Sequence, residues 1–128
     1  MKETISITSI ASISALGKSQ AEIWNNYLND NHFITEKKFQ TFSAFVAEFS
    51  KESKKEILEI RNSDQKYRKL DDSVLFAIYC GRKAVEKAGW KPEDNFGVNI
   101  GSSRGATSLF EKYHKEFLKK NKSSTLSS

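Results

Sequence analysis

The chain has little of what many functional sites require: its 128 residues include one cysteine, two histidines and one proline. The single cysteine, Cys80, excludes an internal disulfide and a zinc site built from several thiolates, and this usage is typical of a reducing compartment. No stretch approaches the length of a transmembrane helix. The isoleucines near the N-terminus alternate with serine and threonine, unlike the unbroken apolar run of a signal peptide. We therefore expect a cytoplasmic protein that is not a membrane protein.

The sequence is also not dominated by charged residues of one sign. Lysine and arginine outnumber aspartate and glutamate by 21 to 16, which gives a net charge of +5. The basic residues are interspersed with acidic ones and no known nucleic-acid-binding motif accompanies them, so nucleic acid is not an expected partner. A non-catalytic module that binds an acidic protein stays open as an alternative function.

The length predicts one domain over residues 1–128. A chain of this size can bury about two thirds of its unfolded surface, so its core does not depend on disulfides or metals. Residues 120–128 are almost entirely polar and have nothing to bury, and they are expected to form a flexible tail.

The hydrophobic pattern predicts, in order, a strand, a helix, an irregular middle, a helix, a strand and a helix. Residues 4–16 are rich in β-branched side chains and predict a strand with one buried face. The first helix is expected to begin at Ser19, which forms a capping-box pattern with Glu22. The predicted buried face of that helix consists of Ile23, Trp24, Tyr27 and Leu28.

The periodicity is weaker between residues 32 and 69. Phenylalanines recur there at intervals of three to four residues, which favours a short amphipathic helix or an irregular segment. These rings are Phe39, Phe42, Phe45 and Phe49. Residues 51–61 predict a charged surface helix that Ile57, Leu58 and Ile60 would anchor.

A helix over residues 70–88 is the clearest predicted element. Asp71 or Asp72 stands at its start, basic residues occupy its last turns, and Gly89 is placed to cap it in the left-handed conformation. Its predicted apolar stripe consists of Leu70, Val74, Ala77, Ile78, Gly81, Ala84, Val85 and Ala88. So many small residues predict a helix packed inside a layered fold.

Residues 96–100 predict a short buried strand that leads through a turn at Gly101 and Gly105 into a final helix. That helix would bury Leu109, Phe110, Tyr113 and Phe117. A strand, a crossover and a second strand are typical of a parallel α/β unit. Two parallel strands alone leave both edges unpaired, so we expect a sheet that is incomplete in this chain.

These segments resemble the β-ketoacyl-acyl carrier protein synthases. The run Ile-Ser-Ile-Thr-Ser-Ile-Ala-Ser-Ile-Ser-Ala-Leu-Gly over residues 5–17 is similar to their first strand, although Ala15 replaces a proline and Ser9 and Ala11 replace glycines. The run Arg-Lys-Leu-Asp-Asp over 68–72, with the helix that follows it, and the run Gly-Val-Asn-Ile-Gly-Ser-Ser-Arg-Gly over 97–105 are similar to the next helix and second strand. Residues 45–49 fit the segment between. The resemblance spans nearly the whole chain but about a third of a complete synthase.

The resemblance implies a partial thiolase-like fold with parallel strands and crossover helices. It implies an acyltransferase as the parent, which condenses an acyl thioester with malonyl-acyl carrier protein, with loss of carbon dioxide, in fatty acid or polyketide synthesis. In that family a cysteine thiolate carries the acyl group, and two histidines stabilise the developing oxyanion. The implied partners are acyl carrier protein, the rest of the synthase or a second subunit, and further copies of the chain.

The same resemblance places the family's cysteine and both histidines beyond Ser128. No catalytic, cofactor-binding or metal-binding residue is therefore assigned in this chain, no cofactor is expected, and the chain alone is expected to be inactive. Only Gly101 and Gly105 are singled out, as a structural turn.

The chain's own candidate nucleophile and imidazoles have simpler interpretations. Cys80 lies in the middle of a helix without a histidine partner, so it is predicted to pack as a small apolar residue. His32 and His114 lie in polar surroundings, and they are predicted to be solvated because metal and catalytic sites need converging partners.

A serine hydrolase is the rival enzymatic hypothesis, because Gly101-Ser-Ser-Arg-Gly105 satisfies G-x-S-x-G between a strand and a helix, with Ser103 as nucleophile. No aspartate follows Asp94, and Glu111 and His114 lie on the helix that this turn would start, so the triad geometry is disfavoured. The glycines are better explained by close passage of the turn past other backbone, with helix N–H groups that could hold an anion. A vestigial protein also stays open.

Overall fold

The computed structural model describes residues 5–29 and 32–120, and within them the protein is α/β, with four helices and one two-stranded sheet. The elements follow one another as α1 (Gln20–Leu28), β1 (Ile34–Lys38), β2 (Ser43–Ala47), α2 (Lys51–Ser63), α3 (Asp72–Ala88) and α4 (Thr107–Lys120). No helix in this described part is both long and apolar enough to cross a lipid bilayer.

The core lies between α2 and α3. Ile57 of α2 packs against Leu75 and Tyr79 of α3, and Leu75 is completely buried. The half-buried side chains around this centre are Ile13, Ile60, Tyr67, Leu70, Phe76, Ile78 and Cys80. The surface helix predicted over 51–61 is confirmed and extends to Ser63, although its expected anchor Leu58 is more than half exposed.

The prediction of α3 is confirmed together with both of its caps. The Asp71 carboxylate accepts a hydrogen bond from the Ser73 backbone N–H at 3.0 Å, and Gly89 closes the helix with a φ of +71°. A positive φ is strained for residues with a Cβ, so glycine at this end is a conformational requirement. The two buried residues of α3, Leu75 and Tyr79, lie beside the predicted stripe and not in it.

The C-terminal part of α3, which carries part of the predicted small-residue stripe, lies beside the N-terminal segment. The Ser9 hydroxyl donates to the Ala84 carbonyl at 2.7 Å, and the Lys87 ammonium donates to the Ile10 carbonyl at 3.2 Å. Most of the stripe is half-buried, and Leu70 and Ile78 within it pack against the core between α2 and α3. Residues 9–13 are therefore held against α3 by these two hydrogen bonds and by the packing of the Ile13 side chain.

The two predicted parallel strands are not present in the described residues. Residues 5–13 and 96–100 have no strand partner within the described residues. Residues 14–17, which follow the first of these segments, form an isolated bridge between Ser14 and Gly17. Ile5 is 98% exposed and Val98 is 74% exposed, so neither segment is buried. Strand formation depends on ladder partners, and β-branched residues that find none gain nothing from an extended arrangement. The sheet that does form in the described part is antiparallel.

That sheet, β1 with β2, corrects a second prediction. The register pairs Ile34 with Ala47 and Glu36 with Phe45, and the Phe39 N–H donates to the Phe42 carbonyl at 2.7 Å across the turn. The expected short helix or irregular segment is therefore wrong over this stretch. The three-residue spacing of Phe39 and Phe42, which imitates a helical period, arises because the two rings flank a tight turn and stack with centroids 4.9 Å apart.

Helix α1 begins as predicted, but its apolar face is not buried. The Ser19 hydroxyl accepts from the Glu22 N–H at 3.2 Å, while the Glu22 carboxylate accepts from the Lys18 N–H at 2.9 Å instead of from Ser19. The helix ends at Leu28 with Asn29 as cap, and residues 30–31 lie outside the described part. The predicted buried set is wrong, since Ile23 is half-buried and Trp24, Tyr27 and Leu28 are exposed.

Helix α4 confirms the predicted final helix. None of its residues is fully buried: Leu109 and Tyr113 are half-covered, whereas Phe110 and Phe117 are exposed. Lys120 is its last residue, so the predicted tail begins within a helix, and residues 121–128 lie outside the described part. The position of α4 therefore depends on polar contacts at its first turn.

Candidate functional site

The most developed polar cluster lies where α3 and α4 begin, and we refer to it as the Asp71–Ser108 junction. Asp71 is buried at 8% exposure. Its Oδ1 accepts hydrogen bonds from the Ser73 N–H at 3.0 Å and the Ser73 hydroxyl at 2.8 Å. Its Oδ2 accepts from the Ser108 N–H at 3.2 Å and from the Ser108 hydroxyl. One carboxylate thus caps α3 and holds the first turn of α4.

The electrostatics of this junction favour the ionised carboxylate. The hydrogen bond from the Ser108 hydroxyl is the largest cause that lowers the pKa of Asp71 to about 2, and the donors of Ser73 add to it against the cost of burial. Two helix N-termini also place partial positive charge beside the carboxylate. Asp71 is therefore an anion at neutral pH with its lone pairs occupied, which suits a structural link and not a general base.

The glycine turn predicted to be structural leads into this junction. Gly105 has a φ of +64°, its N–H donates to the Ser102 hydroxyl at 2.9 Å, and its carbonyl accepts from the Thr107 N–H at 3.0 Å. A Cβ added at Gly101 or Gly105 would meet no heavy atom within 4 Å. A side chain at Gly105 would thus be disfavoured by the positive φ of the backbone and not by crowding.

The structure does not assemble a serine triad around Ser103. Ser103 is exposed, and in the described part of the chain it forms no hydrogen bond with Glu111 or His114. The His114 ring instead stacks on Phe110 with centroids 6.1 Å apart. Ser103 therefore has no hydrogen bond to a general base among these residues, and a serine nucleophile needs such a bond to accept an acyl group.

Cys80 lies half-buried at the edge of the core. Loss of solvent around the sulfur raises the pKa of the Cys80 thiol, and a backbone contact from Ile13 only partly opposes this effect. A raised pKa leaves less thiolate at neutral pH, whereas catalytic cysteines need more. His32 is exposed, and residues 5–29 and 32–120 hold no group of three or more His, Cys, Asp or Glu side chains placed to bind a metal.

A second charged cluster, which the sequence did not predict, joins the N-terminal turn to α2. The Lys18 ammonium lies 2.8 Å from a Glu52 carboxylate oxygen and also contacts Glu56. The hydrogen bond to Glu52 is the largest cause that raises the pKa of Lys18, and the bond from Lys18 is the largest cause that lowers the pKa of Glu56. The partners are 34 and 38 positions apart in the chain, so no local pattern identifies them.

Comparison with known proteins decides the family. A family model described as the N-terminal domain of β-ketoacyl synthases matches residues 2–127. The chain belongs to this family. No curated protein and no solved structure matches the chain. The resemblance of residues 5–17, 68–72 and 97–105 is thereby confirmed, since the match spans all three segments.

The two polar clusters can be interpreted in the light of the β-ketoacyl synthase family. The family's enzymes are acyltransferases of fatty acid and polyketide synthesis that work with acyl carrier protein, and the family implies a thiolase-like fold. In this synthase domain the Asp71–Ser108 junction and the Lys18 cluster both connect elements that are distant in the chain. Asp71 is too weak a base to activate the Ser108 hydroxyl, and the Lys18 ammonium is held protonated, so neither cluster presents an activated nucleophile and we assign both to the scaffold.

Proposed function

We propose that the chain is the N-terminal portion of a condensing enzyme whose complete form catalyses decarboxylative Claisen condensation. The substrates of that form are an acyl thioester and malonyl-acyl carrier protein. The observation that carries the proposal is the family match over residues 2–127. The helix over Asp72–Ala88 with its caps and the glycine turn before α4 support it, because both fall in the segments that resemble the family.

The proposed reaction places the reacting groups outside this chain. A cysteine thiolate attacks the acyl thioester, the bond to the carrier thiol breaks, and the acyl group becomes bound to the cysteine. Malonyl thioester then loses carbon dioxide, the resulting enolate carbon forms a bond to the acyl carbon, and the cysteine leaves as thiolate. Two histidines stabilise the oxyanion that develops in these steps. The present chain would contribute the scaffold on which that site is built.

The parallel strands belong to this proposal as well. We propose that residues 5–13 and 96–100 become neighbouring parallel strands once further strands complete the sheet. Their β-branched side chains and their exposure support this, because Ile5, Ile7 and Val98 would be covered by such a sheet. The fold would then be thiolase-like in arrangement as well as in family.

Partners and location complete the proposal. We propose that the complete enzyme is a homo-oligomer that receives acyl chains from acyl carrier protein in the cytoplasm. The excess of basic residues suits an acidic carrier, and the single cysteine suits a reducing compartment. Titration with acyl carrier protein and with duplex DNA at two salt concentrations checks this choice. Binding to DNA but not to the carrier contradicts it.

Radiolabelling tests the assignment of the reaction. The chain alone, incubated with a labelled acyl-acyl carrier protein, should retain no stable label, because it lacks an activated thiol. Addition of a polypeptide that carries the remainder of a β-ketoacyl synthase should label that polypeptide's cysteine and release carbon dioxide from malonyl-acyl carrier protein. The matched control is the same polypeptide with its cysteine replaced by alanine. Stable label on Cys80 or Ser103 of the isolated chain would overturn the proposal.

A further inference from the structure

Trp24 of α1 lines an open pocket that also borders residues 10–12 and the last turn of α3. The indole is 58% exposed, and it stacks on Tyr27 with ring centroids 5.9 Å apart. The pocket, which we name the Trp24 pocket, has a volume of about 240 Å³. Two isoleucines and two lysines line it together with the indole: Ile10, Ile23, Lys18 and Lys87.

The two lysines of the Trp24 pocket differ in their partners. The Lys18 ammonium is paired with Glu52 and Glu56, so its charge is already neutralised. The Lys87 ammonium donates to the Ile10 carbonyl at 3.2 Å, and within the described residues no carboxylate forms an ion pair with it. An ammonium has three N–H donors, so Lys87 keeps donors for a further acceptor. The pocket therefore contains one cation whose charge is not neutralised.

The volume and the lining of the pocket define the ligand that would fit it. Pockets for drug-sized ligands occupy roughly 300–1,000 Å³, so this smaller pocket suits a ligand with one or two rings. A flat ring gains from contact with the Trp24 indole and with the isoleucine side chains. A carboxylate is the matching group for the Lys87 ammonium, because hydrogen bonds between ionised groups are stronger than those between neutral groups.

We propose that the Trp24 pocket binds a small aromatic carboxylate, with its ring against Trp24 and its carboxylate on Lys87. The ligand would bridge α1, the N-terminal segment and α3 without a covalent step. The proposal does not depend on the proposed enzymatic function, because every residue that it uses belongs to the described part of this chain.

A side chain from the remainder of the synthase is the alternative occupant of the pocket. An apolar side chain would cover the indole and the isoleucines, but it would place no anion beside Lys87. Removal of water from an ammonium without a compensating anion is costly. The cation in the pocket therefore favours an anionic ligand over an apolar side chain.

Nuclear magnetic resonance of the full chain tests the proposal, with benzoate as the probe and benzyl alcohol as its uncharged analogue. The chain has two tryptophans, and Trp90 does not line the pocket, so its indole N–H signal is an internal control for that of Trp24. We expect benzoate to shift the Trp24 signal saturably and to bind about three- to five-fold more tightly than the alcohol, as one solvent-accessible ion pair allows. Equal affinities for benzoate and the alcohol, or equal shifts of the two indole signals, overturn the proposal.

A matched pair of lysine variants tests the position of the carboxylate. Lys87→Met removes the cation of the pocket, whereas Lys83→Met makes the same change on α3 at a lysine that pairs with Glu86 and does not line the pocket. We expect Lys87→Met to lower the affinity for benzoate to that for benzyl alcohol. Lys83→Met should leave the affinity for benzoate within about two-fold, since its charge lies outside the pocket. Equal losses in the two variants contradict the assignment of Lys87.

Ser12 provides a second test, which applies even if loss of the hydrogen bond from Lys87 to Ile10 disturbs the fold. Ser12 lines the pocket, so Ser12→Asp places a carboxylate there that competes with the ligand for Lys87. Ser12→Asn is the control, because it adds a side chain of the same shape without the charge. Ser12→Asp should bind benzoate more weakly than Ser12→Asn does, and the two variants should bind benzyl alcohol equally. Equal binding of benzoate by the two variants overturns the proposal.

Discussion

Asp71 and Ser108 lie 37 positions apart in the chain, and the carboxylate of the first accepts hydrogen bonds from both the backbone N–H and the hydroxyl of the second. The other carboxylate oxygen caps α3 through Ser73. Since no residue of α4 is fully buried, this link is a main determinant of where α4 lies.

Asp71→Ala should therefore release α4 and weaken α3. Loss of an N-cap acceptor costs about 1 kcal/mol, and the lost bonds to Ser108 add to that cost. The free energy of unfolding from urea denaturation should fall by more than 1 kcal/mol, and amide exchange in residues 108–111 should accelerate. The matched control is Asp94→Ala, which removes an exposed carboxylate that accepts a local hydrogen bond from the Lys91 N–H. Equal loss of stability in both variants would contradict a special role for the junction.

The same carboxylate predicts a pH dependence. Its pKa in the folded protein is about 2, below the value near 3.9 of an unfolded aspartate. A depressed pKa stabilises the fold above pH 4, and this contribution is lost as the pH falls from about 4 through 2. The difference in unfolding free energy between wild type and Asp71→Asn should be constant from pH 7 to 5 and shrink between pH 4 and 2. A difference that stays constant to pH 2 would refute this assignment.

Lys18→Met should loosen the contact between the N-terminal turn and α2. The substitution keeps much of the aliphatic length but removes the ammonium that contacts Glu52 and Glu56. It leaves these two carboxylates without the ammonium that they share, so the urea midpoint should drop. The control Lys55→Met removes an exposed partner of Glu59 at 3.9 Å, where little stability is expected to be lost. If Lys55→Met lowers the midpoint as much, the Lys18 cluster is no stronger than a surface pair.

Leu75→Ala should be the most damaging of these single changes. Leu75 is completely buried between α2 and α3, and removal of its side chain leaves a cavity as well as a loss of burial, together about 2–5 kcal/mol. Leu58→Ala on the exposed side of α2 should cost less than about 1 kcal/mol. Urea denaturation of both variants checks the contrast. A Leu75→Ala variant as stable as Leu58→Ala would mean that the core lies elsewhere.

The helices were predictable because their signals are local. Asp71 and Gly89 delimit α3 within a single stretch of sequence, and Ser19 marks the start of α1, so these boundaries required no knowledge of the rest of the fold. The family was predictable for a related reason, since three short segments in a fixed order resemble its members.

The strands and the junctions were not predictable from the same signals. A strand depends on its partner, so residues 5–13 and 96–100 carry strand-forming side chains without forming a ladder in this structure. The β1–β2 ribbon was missed because a turn between Phe39 and Phe42 imitated helical spacing. Asp71 was recognisable as a helix start, but its contact with Ser108 joins distant parts of the chain, and no local pattern marks it.

Hydrogen exchange of the backbone amides in residues 5–10 and 96–100 tests most directly whether this chain is one part of a larger sheet. In the isolated chain these amides should exchange close to the rate of unstructured peptide, because the structure gives them no ladder partner. On addition of a polypeptide that carries the remainder of a β-ketoacyl synthase, both segments should become protected together, by at least 100-fold. Strong protection in the isolated chain, or no gain in a complex that does form, would contradict the account.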